Sequence, residues 1–169
     1  MSTVIRIAVL SDTHLRVPTP FLESLYEQHL APAHAVLHLG DVTGEATLAY
    51  LMNHPRFYGV AGNMDGFGVS DHLPATRSVE FGGLTIAMAH GWGYGRDPAP
   101  GLARHLGPEA DLVCFGHTHM FQWGEVGGVH MLNPGSASAP RRGAPSMALL
   151  AIGPDRELDA EMIDLSDLF

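Results

Sequence analysis

The chain has 169 residues, 46% of them hydrophobic, and this length and apolar content exclude a multidomain assembly or a disordered protein. The charge is unusual, because 18 acidic residues stand against nine Arg and no Lys, and the formal net charge is −9 with 11 His neutral. A general nucleic-acid surface and a membrane-binding surface are excluded, since both need clustered cations. We expect a single domain that spans residues 1–169.

The acidic residues are concentrated at the carboxyl end of the chain. Residues 155–169 contain six Asp or Glu and a single Arg, so this segment carries a net charge of −5. We interpret it as a solvated acidic tail.

Cysteine content and hydropathy bear on the cellular compartment. The single cysteine, Cys114, excludes an intramolecular disulfide, and its place in an apolar run predicts a core residue rather than a nucleophile. No apolar run approaches the roughly 18 residues of a membrane span, and the chain opens with a strand pattern instead of a signal segment. We therefore expect a cytoplasmic protein without membrane contact.

The first part of the chain shows alternating strand and helix patterns. Short apolar runs that stop at polar residues predict buried strands, and apolar residues three or four apart predict the helices between them. Thr43 stands where it can cap the second helix. The predicted order is strand 4–10, helix 21–30, strand 35–39, helix 45–53 and strand 57–61.

The second part of the chain predicts hairpins instead. The pairs Gly82-Gly83 and Gly127-Gly128 separate apolar runs, which is a signal for tight turns between antiparallel strands. The predicted order is strands 77–81 and 84–89, helix 102–106, strand 112–115, strands 120–126 and 129–132, and strands 147–152 and 158–163. Strand–helix units followed by hairpins predict a mixed α/β protein of two packed sheets with helices outside.

Seven Asp, His and Asn side chains directly follow predicted strands. The carboxyl ends of strands in α/β sheets converge on the crevice where ligands bind, so residues from distant segments can meet there. Two pairs within the set are spaced two residues apart, which directs both members to the same side. The seven residues are Asp12, His14, Asp41, Asn63, His90, His117 and His119.

This set of residue types is typical of a metal site. Carboxylates and neutral imidazoles suit Mn, Fe, Zn or Ni, and a carboxylate such as Asp41 can bridge two ions. A lone His at a strand end is more often structural, but seven such residues favour metal binding and exceed the need of one tetrahedral site. Two ions about 3.5–4 Å apart would clamp a phosphoryl group and activate a water. The chemistry indicated is phosphoester hydrolysis.

Six sequence blocks that contain or adjoin these residues resemble a known family. They are SDTH at 11–14, LGD at 39–41, GNMD at 62–65, AHG at 89–91, GHTH at 116–119 and NPGS at 133–136. In this order and spacing, over residues 5–142, the chain resembles the calcineurin-like metallophosphoesterases, specifically their small single-domain bacterial and archaeal branch.

The resemblance implies a fold, a cofactor and a mechanism. The fold would be a four-layer α/β/β/α sandwich of two mixed sheets flanked by helices. The cofactor would be two divalent metal ions, with manganese as the first choice and iron, zinc or nickel as alternatives. A metal-bridging hydroxide would attack phosphorus in line. One ion would take Asp12, His14 and His119, the other would take Asn63, His90 and His117, and Asp41 would bridge them. The implied catalytic residues are Asp12, Asp41, Asn63 and His90.

The GNMD block departs from the family pattern. Many members follow the ligand Asn with a His that contacts the phosphate or assists the leaving group, whereas this chain has Met64 there. Loss of a proton donor penalises poor leaving groups most, by up to roughly 10²–10⁴-fold. We therefore predict a small phosphodiester as substrate and expect simple monoesters to be disfavoured. Asp65 is predicted to hydrogen-bond the loop that positions Asn63.

Residues beyond the metal ligands offer weaker signals. Arg141 and Arg142 follow the NPGS block, and a guanidinium can hold a phosphate oxygen bidentately, although a solvated arginine pair explains them equally well. Trp92 and Tyr94 can stack on a base or simply cover the site. Exposed hairpin edges favour a homodimer or a higher homo-oligomer.

A second function from another class is open. A relative on this fold serves as a protein-interaction platform after the loss of ligand residues, so the rival hypothesis is a catalytically weak or inactive scaffold. All seven ligand positions hold competent residues in this chain, which favours the enzyme.

Overall fold

The computed structural model describes residues 4–169, which form ten strands and four α-helices. The strands are β1 (Ile5–Leu10), β2 (Ala35–His38), β3 (Phe57–Gly59), β4 (Thr76–Phe81), β5 (Leu84–Ala89), β6 (Leu112–Phe115), β7 (Phe121–Val126), β8 (Val129–Pro134), β9 (Ser146–Ile152) and β10 (Leu158–Asp164). The α-helices are α1 (Pro20–Leu25), α2 (Glu45–Leu51), α3 (Phe67–Ser70) and α4 (Ala99–Leu106). A π-helical turn (Tyr26–Leu30) follows α1, and 3₁₀ turns lie at Gly107–Glu109 and Ser166–Leu168.

The strands form two mixed sheets of five strands each. The first has the order β10-β9-β1-β2-β3, in which β1, β2 and β3 are parallel and β9 is antiparallel to β1. The second has the order β4-β5-β6-β8-β7, in which β5, β6 and β8 are parallel. All three predicted hairpins form, as β4–β5, β7–β8 and β9–β10. The predicted mixed α/β fold of two packed sheets flanked by helices is confirmed.

Alternation along the strands builds the layers of the fold. In β1, Ile7 and Val9 enter the apolar core that both sheets share, whereas Ala8 and Leu10 join a cluster with the helices. Helices α1 and α2 cover the outer face of the first sheet, and α4 covers the outer face of the second. The layers therefore run helix, sheet, sheet, helix, and both sheets are covered on their outer faces.

The helices differ in detail from the sequence-based expectation. Helix α1 ends at Leu25, and the remainder of the predicted helix 21–30 is π-helical. The prediction that Thr43 caps α2 is wrong, because the N-cap is Gly44 and it makes no side-chain hydrogen bond. The backbone of Thr43 is instead left-handed, with φ 74°, and its N–H donates to Asp65 Oδ1. The loop after β2 is thus shaped by Asp65 rather than by a helix cap.

The acidic carboxyl-terminal segment contains the predicted strand, which the first sheet holds, and does not project as a solvated tail. Strand β10 lies at the edge of the first sheet and pairs with β9 over seven residues. Asp159 and Glu161 are exposed, while Ile163 packs on the apolar cluster beneath the helices. The expectation of a solvated tail is wrong because the alternating apolar residues are held by the sheet. The exposed acids also oppose pairing of this edge with another sheet.

Two predictions drawn from composition can be compared with the structure. Cys114 is fully buried in β6, and burial raises the pKa of its thiol, so the predicted core position is confirmed. Across residues 4–169, the structure contains no helix with the length and apolar character needed to cross a membrane.

We predict that Ile86→Ala lowers the free energy of unfolding by about 2–5 kcal/mol, because it opens a cavity between the sheets. Ile86 in β5 is fully buried and belongs to the core that the two sheets share. Met162→Ala is the control, since Met162 in β10 is 46% exposed, and it should change stability by only about 0.5 kcal/mol. Urea denaturation measures both, and equal losses in the two variants would contradict the layer assignment.

Candidate metal centre

Loops at the carboxyl ends of five strands carry the seven predicted site residues. The first sheet supplies Asp12 and His14 after β1, Asp41 after β2 and Asn63 after β3, and the second supplies His90 after β5 and His117 and His119 after β6. Ligand atoms from four of these lie within 4.8 Å of one another, and the four are Asp12, His14, Asp41 and His119. His90 adjoins this cluster, with its Nε2 3.3 Å from Asp41 Oδ2.

One oxygen of the Asp12 carboxylate makes structural hydrogen bonds, and the other faces the cluster. Its Oδ2 accepts hydrogen bonds from the Ser11 hydroxyl at 2.6 Å and from the His117 backbone N–H at 3.1 Å. Its Oδ1 lies 3.1 Å from Nε2 of His119 and 3.7 Å from Nε2 of His14. Burial alone would raise the pKa of Asp12, but the His119 and His14 contacts outweigh burial and hold this pKa far below its ordinary value. Asp12 is therefore an ionised acceptor aimed at the cluster.

Asp41 repeats the same division. Its Oδ1 accepts a hydrogen bond from the Met64 backbone N–H at 2.8 Å. Its Oδ2 lies 3.3 Å from His90 Nε2 and 3.6 Å from His14 Nε2. Burial opposes ionisation, yet the His90 contact lowers the pKa of Asp41 below its ordinary value. One oxygen thus stands between imidazoles carried by different sheets.

Two histidines are held so that Nε2 faces the carboxylates. The Nδ1 atom lies 2.7 Å from the Leu39 carbonyl in His90 and 2.6 Å from the Ala139 carbonyl in His119. A carbonyl only accepts, so Nδ1 carries the proton and Nε2 of the neutral ring presents a lone pair. A lone pair facing a carboxylate needs a cation or a second proton between them.

The pKa directions of the same two histidines agree with this geometry. The close contact with Asp12 raises the pKa of His119. For His90, burial lowers the pKa, but the contact with Asp41 outweighs it and the net direction is upward. The carboxylates therefore favour a positive charge on or beside both imidazoles.

Three buried polar atoms at this place make no hydrogen bond. They are Asp12 Oδ1, His14 Nε2 and His90 Nε2. Buried polar atoms in folded proteins nearly always have a partner, so three unpartnered atoms directed at one space need an explanation. Carboxylate oxygen and imidazole nitrogen are ligands for divalent transition metals. The residues present therefore fit a metal ion.

The histidines are arranged in two pairs. The ring centroids of His14 and His119 are 5.2 Å apart, and those of His90 and His117 are 5.1 Å apart. Asn63 is exposed and lines the same surface pocket as His90. His117 does not belong to the four-residue cluster, and both Asn63 and His117 lie on the side of His90. Asp41, in contact with both His14 and His90, stands between the pairs.

Five of the seven residues have left-handed backbones, with φ between 47° and 69°. They are Asp12, His14, Asp41, His117 and His119. This region is uncommon for residues other than glycine, and strained backbones persist mainly where the surrounding structure holds them for function. The strain thus supports a functional role for these loops.

Two motif glycines leave room for the carboxylates. A Cβ atom on Gly62 would collide with the Asp41 side chain, and a Cβ atom on Gly116 would collide with the hydroxyl of Ser11. The loops that bear Asn63 and His117 can therefore lie directly against the neighbouring ligand loops.

Asn133 is a positioning residue to which the sequence pattern alone assigns no role. Its side chain is fully buried, and Nδ2 donates to the Gly116 carbonyl at 2.9 Å and to Thr118 Oγ1 at 3.0 Å. Its Oδ1 accepts from the Gly135 N–H at 3.0 Å. Asn133 thus holds the loop of His117 through the residues directly before and after that histidine. Its place in the NPGS block was the available signal.

The serines after Asn133 hold the first ligand loop. Ser136 Oγ donates to the Asp12 carbonyl at 2.8 Å, and Ser138 Oγ donates to the Thr13 carbonyl at 2.6 Å. The segment after β8 therefore ties the loop after β1 to the loop after β6.

Two further side chains brace the loops of the first sheet. Asp65 accepts from the Gly62 N–H at 2.7 Å and from the Thr43 N–H at 2.8 Å, so its predicted role in the Asn63 loop is confirmed. His38 is fully buried between the Gly40 N–H and the Thr13 hydroxyl, each at 3.2 Å. Burial lowers the pKa of His38 to about 4, which keeps the ring neutral in this role.

The side chains considered for substrate contact lie at different places. The backbone N–H of Arg141 lies 3.4 Å from the His119 carbonyl. Burial lowers the pKa of His117, with smaller contributions in the same direction from the charges of His90 and Arg141. Arg142 is exposed, and no hydrogen bond or salt bridge within residues 4–169 ties it to the cluster. Met64 has an exposed side chain beside Asp41.

The chain is similar to known proteins over most of its length. Residues 5–155 match the profile of the calcineurin-like phosphoesterase superfamily domain. A probable metallophosphoesterase of Methanothermobacter thermautotrophicus is 34% identical over 165 residues, which cover 93% of this chain and 91% of that protein. The solved structure of Vps29 complexed with Zn²⁺ from Entamoeba histolytica has a TM-score of 0.69 at 26% identity and covers 96% of this chain and 100% of that one. A novel archaeal phosphodiesterase shares the fold, with a TM-score of 0.72 at 23% identity and coverage of 94% and 100%.

These similarities, together with the fold and the loop residues, define a class of protein. The chain belongs to the calcineurin-like phosphoesterase superfamily, and its relatives include proteins named probable metallophosphoesterases from archaea and bacteria. The resemblance inferred from the six blocks is confirmed. Membership supports hydrolase activity, and the clustered carboxylates and imidazoles suggest a divalent metal.

We predict that Asn133→Ala weakens metal binding by about 10–100-fold while the fold is retained, because the loop of His117 and His119 loses its lateral hydrogen bonds. Asn53→Ala is the matched control, since Asn53 is exposed and distant in sequence from every candidate ligand. Titration with Mn²⁺ followed by calorimetry measures affinity, and circular dichroism checks folding. An affinity equal to that of the control would show that Asn133 does not position the ligands.

Proposed function

We propose that this protein is a metal-dependent phosphodiesterase with two divalent ions at the candidate centre. The observation that carries the proposal is the position of Asp41 Oδ2, 3.6 Å from His14 Nε2 and 3.3 Å from His90 Nε2. One free oxygen between two histidine pairs is the arrangement that a shared carboxylate needs. The unpartnered Nε2 atoms on its two sides support two positions rather than one.

Each residue has a proposed task in holding the ions. Asp12, His14 and His119 would hold one, Asn63, His90 and His117 would hold the other, and Asp41 would bridge them. The mixture of carboxylate, imidazole and amide ligands suits manganese, with iron, zinc or nickel as alternatives. Bound divalent ions would lower the pKa of a water molecule and polarise the phosphoryl oxygens, which supplies nucleophile and electrophile for hydrolysis.

The chain itself orients the imidazole rings and the carboxylates toward the site, and it fixes which ring nitrogen carries the proton. Carbonyl acceptors fix the ring orientation of His90 and His119, so that Nε2 and not Nδ1 faces the site. The backbone N–H groups of His117 and Met64 occupy one oxygen of each aspartate, which leaves the other free. We propose Arg141 as a phosphate contact because its backbone is tied to His119 and its charge reaches His117.

The preference for diesters rests on Met64. Its thioether side chain is 59% exposed at the rim of the site and cannot donate a proton to a departing oxygen. Esters with good leaving groups need no such donor, so we propose that activated phosphodiesters are hydrolysed better than monoesters.

A protein-interaction scaffold is the rival function. Relatives on this fold include the vacuolar protein sorting-associated protein 29 of Schizosaccharomyces pombe, which is 27% identical over 152 residues. A Vps29 has also been solved in complex with Zn²⁺, so metal binding alone does not distinguish the two functions. Turnover does.

We predict that the protein binds about two metal ions per chain and hydrolyses bis-p-nitrophenyl phosphate in Mn²⁺. Asp41→Ala should lower kcat/KM by about 100-fold or more and reduce the metal content, because the shared oxygen is lost. Asp71→Ala is the matched control, since Asp71 is exposed at the end of α3, away from the centre. Metal analysis and absorbance at the p-nitrophenolate band are the measurements.

The outcomes of this experiment separate the two functions. Full metal content without hydrolysis would favour the scaffold, and an Asp41→Ala variant as active as Asp71→Ala would exclude the proposed centre.

We predict that Met64→His narrows the preference for diesters by raising activity on p-nitrophenyl phosphate and on diesters with poor leaving groups. The substitution keeps the backbone N–H that binds Asp41, so it adds a proton donor without removing that contact. Gains of up to about 10²-fold are expected from general acid catalysis. Met52→His, at a methionine that is 55% exposed after α2, is the control. A native enzyme that prefers the monoester would contradict the role given to Met64.

A further inference from the structure

A pocket of about 520 Å³ adjoins the candidate centre on the side of His90. The loop after β3 and the loop after β5 form its walls, and the start of β4 completes it. Asn63 and His90 belong both to this pocket and to the residues proposed to hold the second ion. A group attached to a phosphate held at that ion therefore reaches the pocket without crossing another surface.

The chemistry of the lining selects for an uncharged group. Small residues such as Ala61, Ala75 and Ala89 line the pocket together with the aromatic residues Trp92 and Tyr94. Of the residues that the structure places around the pocket, none is acidic or basic apart from the His90 imidazole. A second phosphate or a carboxylate would find no opposite charge here, whereas a flat apolar ring would contact small aliphatic groups and aromatic faces.

The two aromatic residues are held differently. Tyr94 packs against Gly101 of α4 so closely that a Cβ atom there would collide with the tyrosine ring, and its ring meets His105 edge-on at 6.3 Å. Tyr94 therefore forms a fixed side of the pocket. Trp92 is 66% exposed, an unusual state for so large an apolar side chain. Its indole remains free to stack on a ligand.

We infer that this pocket binds a planar aromatic ester group of the phosphodiester substrate, with Trp92 as the stacking surface. The inference rests on the proposed function and extends it to a substrate class, namely phosphodiesters that carry an aryl group or a nucleobase. Aromatic stacking is tolerant of the ring's substituents, so Trp92 selects flatness rather than one compound.

The test compares two ligands with the same phosphonate head. Calorimetry on the Mn²⁺-loaded protein measures Kd for phenylphosphonate and for methylphosphonate, and the phenyl ligand should bind about tenfold more tightly. Trp92→Ala should abolish this difference and leave the methylphosphonate Kd within about twofold. Phe67→Ala is the matched control, because Phe67 is 90% exposed and does not line the pocket.

A second variant changes the pocket without altering the stacking residue or any proposed ligand. Gly101→Ala displaces Tyr94 from its packing position on α4. It should weaken phenylphosphonate binding and leave methylphosphonate binding unchanged. Because alanine favours a helix, loss of folding is not the expected cause of any effect.

Thymidine 5′-monophosphate distinguishes the two sources of an aromatic ring. Tighter binding than phenylphosphonate, lost in Trp92→Ala, assigns the pocket to a nucleobase, and weaker binding assigns it to a simple aryl ester. Equal Kd values for the phenyl and methyl ligands, or a preference that survives Trp92→Ala, overturn the inference. In that case continued hydrolysis of bis-p-nitrophenyl phosphate leaves the proposed function standing. Absence of both metal uptake and hydrolysis overturns the proposed function and this pocket with it.

Discussion

The site depends on one constraint: the two oxygens of each buried aspartate have different roles. Asp12 and Asp41 each give one oxygen to a backbone N–H and keep the other free. Those N–H groups belong to His117 and Met64, which lie in the loops of other proposed ligands. Each of these loops therefore fixes the orientation of a carboxylate on a neighbouring loop. A change in one loop shifts the carboxylate oxygen that the neighbouring loop directs into the site.

The layered fold makes this mutual arrangement possible. Parallel strands in both sheets end along the same edge, and the apolar core between the sheets sets the spacing of their loops. Asn133 and the serines that follow it then join the loops laterally, from β8 back to β1 and β6. The catalytic groups proposed for this protein thus lie on loops, but the positions of those loops are determined by two sheets and a set of buried hydrogen bonds.

Sequence patterns predicted what depends on short-range chemistry. The Gly82-Gly83 turn identified a hairpin because both residues need positive φ, which the structure shows as 57° and 76°. Polar residues directly after apolar strands likewise indicated the candidate site, because the end of a strand is visible in the local hydropathy pattern. The left-handed backbone of Asp41 and the buried bonds of Asn133 were not predictable, because contacts from distant parts of the chain impose them. Thr43 was misassigned as a cap since Asp65, 22 residues away, binds its N–H.

The candidate ligands come from both sheets, and this has a thermodynamic consequence for the whole molecule. A cation bound by Asp12, His119 and the shared Asp41 would fasten one half of the sandwich to the other. By linkage, an ion that binds only the folded chain stabilises it by an amount that grows with the logarithm of its free concentration. Thermal stability would then follow metal supply, and a metal-starved protein would lose cohesion between its sheets together with its chemistry.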